Sequence, residues 1–266
     1  MLPVLEVGPF RFFTFGLVVG ASICLGWYVF ARYFREHGLA VKEWKLGLSL
    51  VVCGLIGAKL DNLIVVQHAL RNGHGFGGPL LANLSGGYTY LGSVMGGLVA
   101  GAVYVQLSGL PWLRMFDAMF CLGPAYALGR VGCFLAGDGD YGVVTRMPWG
   151  VSFPHGVVPT LERVHPTMLY CTVWEMAVFA LLWRLASRVP ALRPGILLGL
   201  YLVLSGVGRF AVELVSRNGV VWWGLKEAQI VSLVMMGVGV GVLAWVIGGV
   251  GVSGREGGTQ RSRRLS

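Results

Sequence analysis

The chain alternates long apolar runs with short polar gaps. A helix that crosses a bilayer needs about 20 mostly apolar residues, and seven runs qualify: Phe12–Phe34, Leu46–Val66, Gly87–Leu107, Met115–Leu135, Thr167–Ala186, Gly195–Val215 and Gln229–Ile247. The fourth fits the pattern least, because it carries Asp117, Pro124 and Arg130. The pattern predicts an all-α, polytopic integral membrane protein with about seven transmembrane helices. Residues 1–252 form its transmembrane domain, with 136–166 as the longest gap. Residues 253–266 form a basic, Gly- and Arg-rich tail, expected to be disordered.

Composition narrows the class. Of 266 residues, 55 % are hydrophobic and 12 % charged, with mean hydropathy +0.70. A soluble domain carries about 25 % charged residues. An ordinary soluble enzyme, a disordered protein and a disulfide scaffold are therefore excluded. The net charge of +9 does not point to nucleic acid, because the basic residues sit in short gaps and form no stripe or binding motif. They do set an orientation. Twelve Lys and Arg fall in the gaps and tail of one side and six on the other. The excess marks the cytoplasmic side, so the amino terminus is expected outside and the carboxyl terminus inside, with loops 68–86 and 136–166 facing out. The first run is too long for a signal-peptide core and is followed, not preceded, by basic residues, so it reads as a retained helix. The five cysteines form no C-x-x-C pair and read as small buried hydrophobes. No metal-ligand set or cofactor motif is present. Gly92 and Gly96, and Gly97 and Gly101, have the spacing that lets membrane helices pack closely.

Ionisable groups inside a span are costly and mark function by default. Arg130 stands in Gly129-Arg130-Val131-Gly132, where the glycines are expected to let a bulky group approach a guanidinium suited to phosphate oxygens. Arg209 precedes Glu213 by four residues, which places both on one helix face. The pair reads either as a structural ion pair or as a second phosphate clamp that Glu213 orients. Lys59 and Asp61 close the second run, where a snorkelling lysine is the simple account. Beyond Arg130 lie Asp138 and Asp140 in Gly137-Asp138-Gly139-Asp140-Tyr141-Gly142. Their spacing resembles the start of a calcium loop but lacks the glutamate that closes one. Two carboxylates beside an arginine also suit proton abstraction. His165, before Pro166-Thr167, opens the fifth run, either as a helix cap or as a base near neutrality. Two arginines, several carboxylates and a histidine near the outer leaflet suggest an anionic phospholipid substrate.

Gly129-Arg130-Val131-Gly132-Cys133-Phe134, the loop Asp138 to Gly142, Met147-Pro148-Trp149-Gly150 with Phe153-Pro154, and His165-Pro166-Thr167-Met168-Leu169-Tyr170 together resemble the prolipoprotein diacylglyceryl transferase family. The similarity extends back through Gly57-Ala58-Lys59-Leu60 and the Gly86 to Gly97 stretch. It extends forward through Gly208-Arg209-Phe210 to Glu213 and Gly224-Leu225 to Gln229, so it covers nearly the whole chain in order. The resemblance implies a seven-helix bacterial inner-membrane enzyme with its active site facing the periplasm. It moves a diacylglyceryl group from phosphatidylglycerol to the lipobox cysteine thiol of a preprolipoprotein, and no cofactor is implied. The family's signature arginine falls on Arg130, its loop acid on Asp138, the glycine closing that loop on Gly142, and its late arginine and glutamate on Arg209 and Glu213. Tyr141 and Asp140 beside them are expected to contact substrate.

The chain departs from the family pattern in several places. Leu91 stands at a histidine position, and Cys133 follows Gly-Arg-x-Gly where asparagine is usual. The Asn-Gly-Glu loop reads Ala136-Gly137-Asp138 with one extra residue, and a Gln and a Glu are replaced by Met168 and Cys171. Leu91 cannot act as a base. The expected chemistry is attack of the thiol on the glycerol carbon bearing the phosphate ester, with glycerol phosphate leaving against the charges of Arg130 and Arg209. A thiol with a free pKa near 8.5 needs a base; Asp138, Asp140 and His165 are candidates, with Asp138 first. Two alternatives are a lipid-binding or transport paralogue without this chemistry, and a small-solute transporter. The second predicts inverted repeats that the sequence does not show.

Overall fold

The computed structural model describes residues 4–7, 10–38, 43–71, 90–109, 111–189 and 192–249. The tail 253–266, most of loop 68–86 and the start of the third predicted span lie outside the described residues. The elements run β1 (Val4–Val7), β2 (Phe10–Phe13), α1 (Thr14–Glu36), α2 (Glu43–Arg71), α3 (Tyr90–Ser108), α4 (Trp112–Phe116), a 3-10 segment (Asp117–Leu122) and α5 (Gly123–Ala136). They continue with β3 (Val151–Phe153), β4 (Thr160–Val164), α6 (Thr167–Arg188), α7 (Ile196–Leu214), β5 (Val220–Trp222), β6 (Leu225–Lys226) and α8 (Glu227–Ile247).

Among the described residues, six helical stretches are long and apolar enough to cross a membrane: Thr14–Glu36, Trp44–Ile64, Trp112–Ala136, Thr167–Arg188, Ile196–Leu214 and Glu227–Ile247. The third predicted span corresponds to α3, whose described apolar stretch, Met95–Ser108, is shorter. Leu55, Ile56, Val173, Leu181 and Val234 remain exposed on their helices, as side chains facing lipid would. The protein is thus mostly helical and polytopic. Among the described residues, three two-stranded antiparallel sheets, β1–β2, β3–β4 and β5–β6, add to the helices and correct the all-α expectation. They arise in gaps where short alternating stretches such as Val151-Ser152-Phe153 pair locally.

The fourth predicted span is not one straight helix. Pro124, at the start of α5, has no N–H to donate to the preceding turn. The six residues before α5 tighten into a 3-10 turn instead. Asp117, which hydropathy marks as a flaw, is buried. Its Oδ2 accepts the Gly195 N–H at 2.8 Å and its Oδ1 the Leu198 N–H at 2.9 Å. The carboxylate therefore caps the N-terminus of α7, where donors lack partners and the helix dipole favours negative charge.

The chain divides into two compact units, Met1–Tyr33 with Phe116–Ser266, and Phe34–Met115. In the second, α2 and α3 cross through Gly57, Gly92 and Gly96. A Cβ at Gly57 would strike Gly92 O, and one at Gly96 would strike Cys53 O, so only glycine permits the crossing. Gly97 and Gly101 take no part in this close approach. Lys59 and Asp61 lie half-buried along α2, which runs past the predicted end of its span to Arg71.

In the first unit α1 lies on α5. Of the glycines flanking Arg130, Gly132 serves this contact: a Cβ there would sit 3.0 Å from Val18 Cγ1, whereas one on Gly129 would lie 4.0 Å from Ser22 Oγ, an ordinary contact. Gly132 thus admits α1 beside Arg130, a packing role that the motif alone does not indicate. Thr172 Oγ1 donates to Ala127 O at 3.1 Å and ties α6 to α5. Residues 137–166 and 215–226 build a cap at one end of this bundle. Val143 N donates to Val215 O and Thr145 N to Arg163 O, each at 2.8 Å, so the 142–145 stretch lies between the exit of α7 and β4. Tyr141, Phe153, Val164 and Met168 form the core of the cap, with Cys133 and Phe134 packed against it.

Candidate active site

Arg130 comes from α5, about two turns before the cap, and Tyr126 lies four residues earlier on the same face. Arg130 Nε donates to the Tyr126 hydroxyl at 3.0 Å, and the guanidinium carbon stands 5.1 Å from the centre of that ring. Nη1 pairs with Asp140 Oδ2. The side chains of Arg130 and Asp140 are 19 % and 33 % exposed. The ion pair is neither sealed in the interior nor open to bulk solvent.

Arg209 comes from α7. Its Nη2 lies 3.1 Å from Glu213 Oε2, one turn along the helix, and its Nη1 donates to Cys171 Sγ at 3.7 Å. Glu213 is fully buried. Its Oε1 accepts Ser216 Oγ and Asn218 Nδ2, each at 2.6 Å, while Oε2 meets Arg209 outside hydrogen-bond angles. Lys226 Nζ closes the end of α7 by donating to Glu213 O and Ser216 O, each at 2.7 Å. A buried carboxylate needs such partners to remain charged. Arg209 touches α6 at Cys171, and the next residue, Thr172, bonds Ala127 O beside Tyr126, the partner of Arg130. Two guanidinium groups from different helices thus meet the same α5–α6 seam. Such a pair invites an anion with several oxygens.

The acidic loop divides its two carboxylates. Asp138 Oδ1 accepts the Asp140 N–H at 3.2 Å, and its carboxylate faces the Cys133 thiol. Asp138 shapes the turn, whereas Asp140 reaches the arginine. Gly137 and Gly139 take left-handed backbone angles, φ 64° and 100°, which a residue with a Cβ adopts poorly. These two turns present Asp140, rather than Asp138, to Arg130.

Tyr141 is 2 % exposed, stacked 4.2 Å from Phe153, and donates its hydroxyl to Val158 O at 2.8 Å. Burial, aided by the Asp138 charge, pushes its phenol above the ordinary range, so it stays neutral. It packs the cap beneath the loop. Gly142 sits in a seam: its N–H donates to His165 O at 2.9 Å, and a Cβ there would lie 2.5 Å from Val215 O and 2.6 Å from His165 Cβ. Main-chain closeness at this point joins the loop, β4 and the exit of α7.

The structure brings Arg130 to Asp140 and Arg209 to Glu213. It turns the His165 ring elsewhere, with Nδ1 2.9 Å from the Tyr170 hydroxyl. Tyr170 in turn accepts Trp149 Nε1–H at 2.7 Å, and Arg163 Nη2 holds the same turn by donating to Pro148 O at 2.8 Å. The Pro-Trp-Gly stretch therefore anchors the histidine. Sequence reasoning missed Tyr126, Ser216, Asn218, Lys226 and Thr167, whose Oγ1 donates to Asp140 O at 2.5 Å. Of these only Tyr126 carried a signal, its spacing of four from Arg130.

The sequence profile described as prolipoprotein diacylglyceryl transferase matches residues 3–245. A phosphatidylglycerol–prolipoprotein diacylglyceryl transferase of Symbiobacterium thermophilum is 29 % identical over 253 residues, covering 91 % of each chain. One of Nostoc is 29 % identical over 259 residues, covering 92 % of this chain and 89 % of the relative. One of Clostridioides difficile is 33 % identical over 162 residues, covering 60 % and 61 %. With the profile match spanning residues 3–245 and six helices long and apolar enough to cross a membrane among the described residues, the chain belongs to the prolipoprotein diacylglyceryl transferase family and is a multi-pass membrane transferase.

Proposed function

We propose that this protein transfers the diacylglyceryl group of phosphatidylglycerol to the lipobox cysteine thiol of a preprolipoprotein and releases glycerol phosphate. It does so in the bacterial inner membrane with seven spans, its amino terminus outside and its cap on the periplasmic side. The names of the relatives support the two substrates. The observation that carries the reading is that Arg130 of α5 and Arg209 of α7 both meet the α5–α6 seam, each beside one carboxylate, Asp140 and Glu213.

The chemistry follows from charge. The thiol sulfur attacks the glycerol carbon that bears the phosphate ester, and the bond from that carbon to the phosphate oxygen breaks. Negative charge grows on the departing phosphate, where two fixed guanidinium groups stabilise it more than they stabilise the diester. Glu213, held by Ser216 and Asn218, keeps Arg209 aimed. The lipid tails need no enclosing pocket, because the flanks of the bundle are exposed and apolar.

A second reading, a lipid-binding paralogue without turnover, draws on Leu91 at a position where the family resemblance places histidine. One experiment separates the two. Purified protein is mixed with phosphatidylglycerol and a lipobox peptide, and the peptide is weighed. A diacylglyceryl adduct is expected. Folded protein that binds the lipid but makes no adduct, beside a working relative, overturns the transferase reading in favour of the second.

A further inference from the structure

We propose that Asp140 is a displaceable counter-ion of Arg130: the lipid phosphate moves it off the guanidinium, and the freed carboxylate then takes the proton of the incoming thiol. This rests on the transferase reading and names the base that the reading leaves open.

Three features of the site make the exchange physically easy. Arg130 is fixed without Asp140, by its Nε–H to Tyr126 and by the tyrosine ring beside it. The Asp140 main chain is fixed without its side chain: the N–H donates to Asp138 Oδ1 and the C=O accepts Thr167 Oγ1. The next two residues are fixed as well, Tyr141 on Val158 O and Gly142 on His165 O. The carboxylate can thus change rotamer while both the arginine and the loop stay still. Finally, Asp140 is a third exposed, whereas Glu213, the partner of Arg209, is sealed and held by two further donors. The clamp has one permanent counter-ion and one exchangeable one.

A phosphate offers a guanidinium the same paired oxygens as a carboxylate. Once the phosphate is seated, Asp140 has lost its cation and gained an anionic neighbour, and both changes favour its protonated form. The step balances. The thiol proton passes to an Asp140 oxygen as the sulfur lone pair forms the bond to the glycerol carbon. The electron pair of the breaking bond stays on the phosphate oxygen of the departing glycerol phosphate. Asp140 then releases its proton to water and returns to Arg130. Lipid binding therefore precedes thiol activation.

The test uses the full chain in phosphatidylcholine nanodiscs, wild type against Asp140→Asn. Binding is measured with added phosphatidylglycerol and, separately, with free glycerol 1-phosphate; turnover is measured with a lipobox peptide. Asp140→Asn is expected to bind phosphatidylglycerol several-fold more tightly and to lose about a hundredfold in kcat. Asp140→Glu, which keeps the charge, is expected to retain most of kcat, and it serves as the second probe if the asparagine variant folds poorly. Tighter binding in both arms assigns the exchange to the phosphate itself, and tighter binding in the lipid arm alone assigns it to the headgroup in its membrane; either supports the proposal. Weaker binding by Asp140→Asn, an unchanged kcat, or loss of kcat in Asp140→Glu overturns it while the transferase reading stands. A wild type that binds phosphatidylglycerol and makes no adduct overturns the transferase reading instead.

Discussion

Asp117 and Asp140 flank the same stretch of chain, one ahead of α5 and one just beyond it, and their surroundings are opposite. Asp117 is buried, and each oxygen accepts a main-chain N–H at the start of α7. Those donors belong to a helix and cannot leave. Asp140 is partly exposed, and its side chain meets one guanidinium. The first carboxylate is saturated by fixed partners and completes a helix end. The second balances a partly exposed cation beside the cap. Two acidic residues near one span thus differ not in burial alone but in whether their partners can be exchanged. The same distinction separates Glu213, held by Ser216 and Asn218, from Asp140.

Substitutions can break or sharpen this contrast. Beyond Arg130, the largest effect is expected at Arg209. Arg209→Ala removes half of the anion clamp and should lower kcat by about a hundredfold to a thousandfold, with the thermal midpoint nearly unchanged, read by adduct formation and a melting curve. Next comes Asp117→Asn, which keeps one acceptor and turns the other into a donor facing an N–H. It should lower stability by about 1–3 kcal/mol while activity per folded molecule stays at the wild-type value, measured by denaturation and active-site titration. If Asp117→Asn instead lowers kcat in fully folded protein, the contrast fails. The smallest effect is expected from Tyr170→Phe, which frees the His165 ring and Trp149 Nε1 without touching either arginine. A change of a few-fold in kcat separates an anchored histidine from a catalytic one, whose loss of alignment would cost far more.

The sequence made the helical spans legible because apolar length is a local property. It also marked Arg130, Arg209 and Glu213, since charge inside an apolar run is conspicuous. What it could not reveal depends on distant pairing. Asp117 reads as a flaw until Gly195 and Leu198, 78 and 81 residues on, supply their N–H groups. The division of labour between Asp138 and Asp140 depends on two left-handed glycines and on Thr167 reaching across from α6. Motif matching favoured Asp138, yet the turn presents Asp140. The short hairpins were missed because two to five residues of alternation are too few to stand out between long apolar runs. Ser216, Asn218 and Lys226 are ordinary polar residues in a connection, and only the folded end of α7 shows them gathered on Glu213.

The central claim is that the two arginines hold the phosphate of the lipid while its ester bond breaks, and Arg130→Ala tests it most directly. Purified wild type and variant are compared for their thermal midpoint and for mass gain of a lipobox peptide in the presence of phosphatidylglycerol. The account predicts a folded variant with no detectable adduct beside an active wild type. An Arg130→Ala protein that folds and transfers at the wild-type rate would contradict it.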